Sequence, residues 1–86
     1  MNFKILAIEH VAIAVDEAKE PADVFGNLLG IKNTSTEKVV DEKVITDIFD
    51  TGAGKIELLE AISDDSPISK FLEKRGKGIH HIAFLV

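Results

Sequence analysis

Gly78-Ile79-His80-His81-Ile82-Ala83-Phe84-Leu85-Val86 decides the fold, because it repeats Ile8-Glu9-His10-Val11-Ala12-Ile13-Ala14-Val15 from the other end of the chain. In the overlay His10 meets His81, Val11 meets Ile82, Ala12 meets Ala83 and Val15 meets Val86. Each stretch has the pattern of a buried strand carrying one histidine near its start. Self-similarity of this kind is the mark of a duplicated architecture. The expectation is a first unit over residues 1–77, connecting helix included, and at 78–86 the opening strand of a second, truncated one. A site built on the repeat needs both strands.

Size limits what such a chain can do alone. With 86 residues it is at most one small domain. It buries only about 60–65% of its unfolded surface, so an isolated core is marginal. No cysteine is present, which excludes disulfides and thiolate zinc sites and suits a reducing cytoplasm. The segment Met1-Asn2-Phe3-Lys4-Ile5-Leu6-Ala7-Ile8-Glu9 is too short and too charged for a secretory signal, and no apolar run approaches a membrane span. A net charge of −5 with interspersed signs argues against nucleic acid. A soluble, cytoplasmic domain that needs a partner is expected.

Between the two repeats the pattern is α+β. Ile5 to Val15 predicts the first strand, with Val11, Ile13 and Val15 on one face for packing under a helix. Ile8, His10, Ala12 and Ala14 take the other face, where two alanines leave room beside an imidazole. Pro21 opens a helix whose stripe is Val24, Phe25, Leu28 and Leu29, and Gly30 caps it in the left-handed region. Ile31–Val40 predicts an edge strand, Asp41-Glu42 a turn, Val44–Phe49 a third strand and Asp50–Gly54 a glycine turn. Lys55–Glu60 gives a fourth strand. Ser66 caps a second helix with Pro67 in its first turn, and Ile68, Phe71 and Leu72 form its stripe up to Gly76. The architecture expected is a βαβββ module: a curved mixed sheet with a helix on its convex face.

Three groups could meet around a cation. Strand alternation lets only one of His80 and His81 share the face of His10, and the repeat selects His81. On this pattern His80 points away with Ile82 and Phe84. Glu57, in mid-strand between Ile56 and Leu58, is costly to bury unpaired. Two imidazoles and a carboxylate suit a divalent ion such as cobalt, nickel, zinc, manganese or ferrous iron. Patterning alone leaves open that each is an ordinary hydrogen-bonded strand residue, or that Glu57 faces solvent from an edge.

The same segments, with Lys55-Ile56-Glu57-Leu58-Leu59-Glu60 and the Ser66-Pro67-Ile68 helix running into Gly78-Ile79-His80-His81-Ile82, resemble the vicinal-oxygen-chelate superfamily. That superfamily includes glyoxalase I, bleomycin resistance proteins, extradiol dioxygenases and methylmalonyl-CoA epimerases, and the likeness is greatest to the epimerases. The resemblance implies two βαβββ modules closing around one metal, with His10 and Glu57 as ligands of the first module and His81 opening the second. The family's fourth ligand, a glutamate late in the second module that also serves as base, has no counterpart here. Some members carry glutamine where Glu57 stands. Gly26 replaces the aromatic usual after Phe25. A glutamate on the third strand, the second base of the epimerases, corresponds to Thr46, with Asp47 facing away, so no catalytic base is assigned.

What the resemblance implies chemically is inversion at C2 of methylmalonyl-CoA through an enolate, with a divalent metal stabilising the negative charge. Its partner is then an acyl-CoA thioester. Lys70, Lys74, Arg75 and Lys77 form a basic cluster able to attract phosphates, although a solvated helix end explains it as well. Three alternatives stand beside this one. Glyoxalase I acts on a glutathione hemithioacetal, extradiol dioxygenases use ferrous iron, and a non-catalytic relative holds a small molecule between paired modules. The unpaired final strand also predicts association, either with further chain or with a second copy as a homodimer.

Overall fold

The computed structural model describes residues 3–86 and, at positions 33 and 34, the backbone alone. The first two residues of the N-terminal stretch weighed as a signal lie outside the described residues. Five strands form one mixed sheet in the order β2-β3-β4-β1-β5. They are β1 (Ala7–Val15), β2 (Asn33–Val39), β3 (Val44–Asp50), β4 (Lys55–Ala61) and β5 (Gly78–Leu85). Helix α1 (Lys19–Asp23) follows β1, and α2 (Pro67–Arg75) joins β4 to β5. This is the α+β architecture expected from the sequence. Among the described residues no helix is long and apolar enough to cross a membrane.

Each face of β1 has its own core. Val15 packs with Phe49 and Leu58 against Ala18, Ala22 and Phe25 of the first helical segment. Ala12 and Ala14 pack on the opposite face with Val44, Leu59 and Ile68 of α2. The split follows directly from the two-residue alternation of the strand. Glu60 anchors the helical layer, its Oε1 accepting from the Ala18 N–H at 2.6 Å. At the other helix, the buried Ser66 Oγ accepts from the Ile68 N–H at 3.1 Å, which makes Ser66 the N-cap.

The first helix departs from the expected stripe. After Asp23 it widens into a π-helical turn, Val24–Leu28, in which the Leu29 N–H donates to the Val24 carbonyl at 2.9 Å. A stripe at Val24, Phe25, Leu28 and Leu29 presumes 3.6 residues per turn, and a wider i→i+5 turn rotates those side chains off one line. Phe25 alone of the four packs on the sheet, its ring 5.9 Å from that of Phe49, while Val24, Leu28 and Leu29 are exposed. Gly30 adopts the left-handed conformation expected of it, with φ 71°.

β1 runs parallel to β4 and antiparallel to β5. The β1–β5 register carries a symmetry of its own. Ala7 pairs with Leu85 and Ala14 with Gly78; Ile8 pairs with Phe84 and Ile13 with Ile79; His10 pairs with Ala83 and Ala12 with His81. Exchanging each residue for its repeat counterpart maps these pairs onto one another, so a local two-fold passes through the Val11–Ile82 pair. The register slips twice, leaving out Glu9 on β1 and His80 on β5. These are two β-bulges at equivalent places in the repeat.

Gly54 fixes how closely β4 enters beside β1. A Cβ there would lie 2.8 Å from the Ile8 carbonyl oxygen, whereas at Gly78 it meets nothing within 4 Å. Gly54→Ala is therefore expected to destabilise the chain by about 1–3 kcal/mol through overpacking, seen as a fall in Tm. Gly78→Ala should change stability by less than about 0.5 kcal/mol. Equal effects of the two substitutions would contradict the close approach.

Lys43, in the left-handed region with φ 54°, pairs with the Asp65 carboxylate. That contact, with a hydrogen bond from Ser63, lowers the Asp65 pKa to about 2. A depressed carboxylate contributes stability above its unfolded value of about 3.9 and loses it as pH falls through the folded value. In urea titrations the parent chain should exceed Asp65→Asn in midpoint at neutral pH, with the gap closing between about pH 4 and pH 2. A gap unchanged across that window would remove the ion pair from the account.

Candidate metal centre

Three strands converge on one alanine. Ala12, fully buried, pairs laterally with Glu57 on β4 and with His81 on β5. Directly paired residues share a face, so carboxylate and imidazole flank the same small methyl. His10 lies two residues back along β1, on that face again. A residue as small as alanine leaves open space above it where the longer side chains meet.

The side chains use that space. His10 Nε2 and His81 Nε2 are 3.1 Å apart, and the ring centroids are 5.2 Å apart at 81°. On its other edge, His10 Nδ1 lies 3.5 Å from Glu57 Oε2. His10 thus meets both other residues singled out from the sequence, but on opposite edges of its ring, His81 at Nε2 and Glu57 at Nδ1. Glu57 is mostly buried along its side chain, at 17% exposure, and its neighbour across β3 is Ile48. The site face of β3 carries Thr46 and Ile48, whereas Asp47 turns to the other face and its Oδ1 accepts from Thr36 Oγ1 at 2.8 Å.

Two further residues join the cluster that strand alternation assigned elsewhere or passed over. Glu9 Oε1 accepts from His10 Nδ1 at 2.7 Å, and Lys55 Nζ donates to Glu9 Oε2 at 3.3 Å. Glu9, His10 and Glu57 bring three donor atoms within 4.8 Å of one another. His80, expected to point away with Ile82 and Phe84, instead has its Nδ1 2.9 Å from His81 Nδ1. The bulge at His80 breaks the alternation on which that expectation rested. Its ring also stands edge-on to Phe71 of α2, with centroids 4.9 Å apart. The signal available beforehand was the repeat itself, which superposes Glu9 on His80 as it superposes His10 on His81.

Electrostatics favours donors in their coordinating forms. Hydrogen bonds from His10 and then Lys55 hold the Glu9 carboxyl below the usual carboxylate range. Partial burial, followed by the nearby His80 and His10 rings, pushes the His81 imidazole below its ordinary value, with Glu57 pulling the other way. A neutral imidazole is the form that binds a metal. The larger surface depression, about 760 Å³, lies elsewhere, by Asp16, Glu20, Pro21 and Lys77. Its rim mixes four carboxylates with Lys19 and Lys77. A smaller one of about 340 Å³ opens between α2 and β5, lined by Lys70, Phe71, Lys74, Arg75 and His80.

Comparison with known proteins gives this geometry a context. The family model for the Glyoxalase/Bleomycin resistance protein/Dioxygenase superfamily matches residues 9–86. Uncharacterized protein YqjC of Bacillus subtilis is 42% identical over 78 residues, covering 91% of this chain and 56% of that protein. The ethylmalonyl-CoA/methylmalonyl-CoA epimerase of Cereibacter sphaeroides is 38% identical over 80 residues, covering 92% and 60%. A structure of methylmalonyl-CoA epimerase in complex with methylmalonyl-CoA and ammonium superposes with a TM-score of 0.84 at 30% identity, over 94% of this chain and 60% of that one. The chain spans about half the length of the curated relatives it matches. On the family match and the shared fold, the chain belongs to the Glyoxalase/Bleomycin resistance protein/Dioxygenase superfamily.

Proposed function

We propose that His10, Glu57 and His81 hold a divalent metal ion, and that the site so formed serves inversion at C2 of methylmalonyl-CoA. One observation carries the metal: two Nε2 atoms from distant parts of the chain lie 3.1 Å apart. Nitrogens bound to one ion at about 2.0–2.1 Å stand roughly 2.9 Å apart at right angles and about 3.3 Å apart at the tetrahedral angle. The observed separation falls between these limits. The donor set, two imidazoles and a carboxylate, fits cobalt, nickel, zinc or manganese, and three protein donors leave positions for substrate oxygens.

Similarity to epimerases of methylmalonyl-CoA supports the substrate. When bound, the ion supplies positive charge that stabilises the negative charge left on a thioester oxygen as the α-proton departs. The chain's own residues hold and orient it. Lys70, Lys74 and Arg75 line the depression beside His80, which suits the phosphates of coenzyme A approaching from α2. No proton-transfer group is assigned on β3, where Thr46 and Ile48 share the face of Glu57 and neither is a base. A further module paired along the outer edge of β5 would bring additional groups to the site. The exposed Ile79, Ile82, Phe84 and Leu85 give that module an apolar surface to cover.

Cobalt(II) titration followed by its visible absorption tests both parts. The parent chain should bind one equivalent, and His10→Ala and His81→Ala should each abolish stoichiometric uptake. Unchanged metal content in either variant would falsify the ligand set. Methylmalonyl-CoA should then shift the cobalt bands, while the glutathione hemithioacetal of methylglyoxal and a catechol leave them in place. A shift produced by one of the latter two alone assigns the site to the corresponding chemistry instead.

A further inference from the structure

The cluster holds two polar side chains that the metal proposal does not use, and both sit at a β-bulge. Glu9 precedes His10, and His80 precedes His81. The two histidines are 71 positions apart, so Glu9 and His80 are repeat counterparts. Each is the residue left out of the β1–β5 register. Each meets the Nδ1 atom of the histidine it precedes, at 2.7 Å for Glu9 and 2.9 Å for His80.

Resting on the metal reading above, we propose that Glu9 and His80 are the positioning residues of the two ligand rings, each gripping Nδ1 so that Nε2 faces the shared centre. The bulge is the device that makes this reach possible. In a regular strand a neighbouring side chain points to the opposite face. An extra residue bends the strand and re-aims it beside the ring that follows.

Hydrogen-bond polarity separates the two roles. An ionised carboxylate only accepts, so His10 carries its proton on Nδ1 and presents a bare lone pair at Nε2. The hydrogen between the two Nε2 atoms then belongs to His81. That leaves His81 Nδ1 bare, and His80 Nδ1–H donates to it. Donation thus runs from His80 to His81, from His81 to His10 and from His10 to Glu9, with Lys55 donating to the far oxygen of Glu9.

A bound cation needs bare lone pairs at both Nε2 atoms. His10 is preset for it. His81 must carry its proton on Nδ1 instead, donating to His80 Nδ1, and His80 must carry its own on Nε2. Each ring keeps one proton, so none is gained or lost overall. A carboxylate at position 80 could only accept, and an alkyl group could do neither. An imidazole can reverse its role. Glu9 therefore fixes a tautomer, and His80 follows one.

Zinc titration against a chelating dye, with ¹⁵N–¹H correlation spectra of the imidazoles, tests the proposal on the chain itself. The metal-free spectrum should show protons on His10 Nδ1, His81 Nε2 and His80 Nδ1. With zinc, His81 should change to Nδ1–H and His80 to Nε2–H while His10 stays as it was. Glu9→Ala and His80→Phe should weaken zinc binding by about 10- to 100-fold, the usual cost of losing a ligand's hydrogen-bond partner. Glu9→Gln and His80→Asn, which keep an acceptor oxygen near the same place, should restore most of it. Parent-like affinity in both Glu9→Ala and His80→Phe, with the parent binding zinc, overturns the positioning role alone. Complete loss in Glu9→Ala, equal to that in His10→Ala, would make Glu9 a ligand and overturn its assigned role. A parent chain that binds no zinc removes the metal reading, and this inference with it.

Discussion

Antiparallel pairing of β1 with β5 is the constraint on which the molecule depends. Those strands come from opposite ends of the chain, and their hydrogen bonds bring the two similar sequences into a self-complementary register. Everything chemical follows from that register. It sets His81 beside Ala12, brings His10 next to it on the same face, and leaves the parallel strand β4 to present Glu57 from the other side. A one-residue slip would move one histidine to the opposite face and dissolve the cluster.

Much of this was legible in the sequence, for identifiable reasons. The repeat announced two strands sharing one site, although the last of them, expected to be unpaired, pairs along one edge with β1. The face carrying Val15 and Ile13 was distinguishable by its β-branched bulk from the face carrying Ala12 and Ala14. The caps at Gly30 and Ser66 followed from residue type alone. What escaped were departures from ideal periods. The π-helical turn moved Val24, Leu28 and Leu29 into the open, because a stripe argument fixes the number of residues per turn in advance. The two bulges hid the roles of Glu9 and His80, since alternation counts every residue as paired. A bulge is decided by the competition between two strands for register, and no single-strand pattern contains that information.

The cluster also illustrates how a small protein keeps several ionisable groups together near a half-open surface. Lys55 donates to Glu9, Glu9 holds His10, and partial burial pushes the His81 imidazole below its ordinary pKa. Donors and acceptors alternate along one hydrogen-bonded line, so each of these polar groups has a partner. Glu57 is the member whose charge has the least support from its neighbours, lying 3.5 Å from an imidazole edge and beside Ile48. A carboxylate so placed is where a cation brings the greatest relief.

The alanine at the centre has a bearing on how such proteins diverge. Ala12 donates nothing and touches no proton, yet its methyl is the floor on which three strands' worth of donors stand. Enlarging that one side chain would close the space in which those side chains meet while leaving each of them in the sequence intact. Related chains could thus lose the cluster through a change of volume alone, and a count of donor residues would not reveal which had done so.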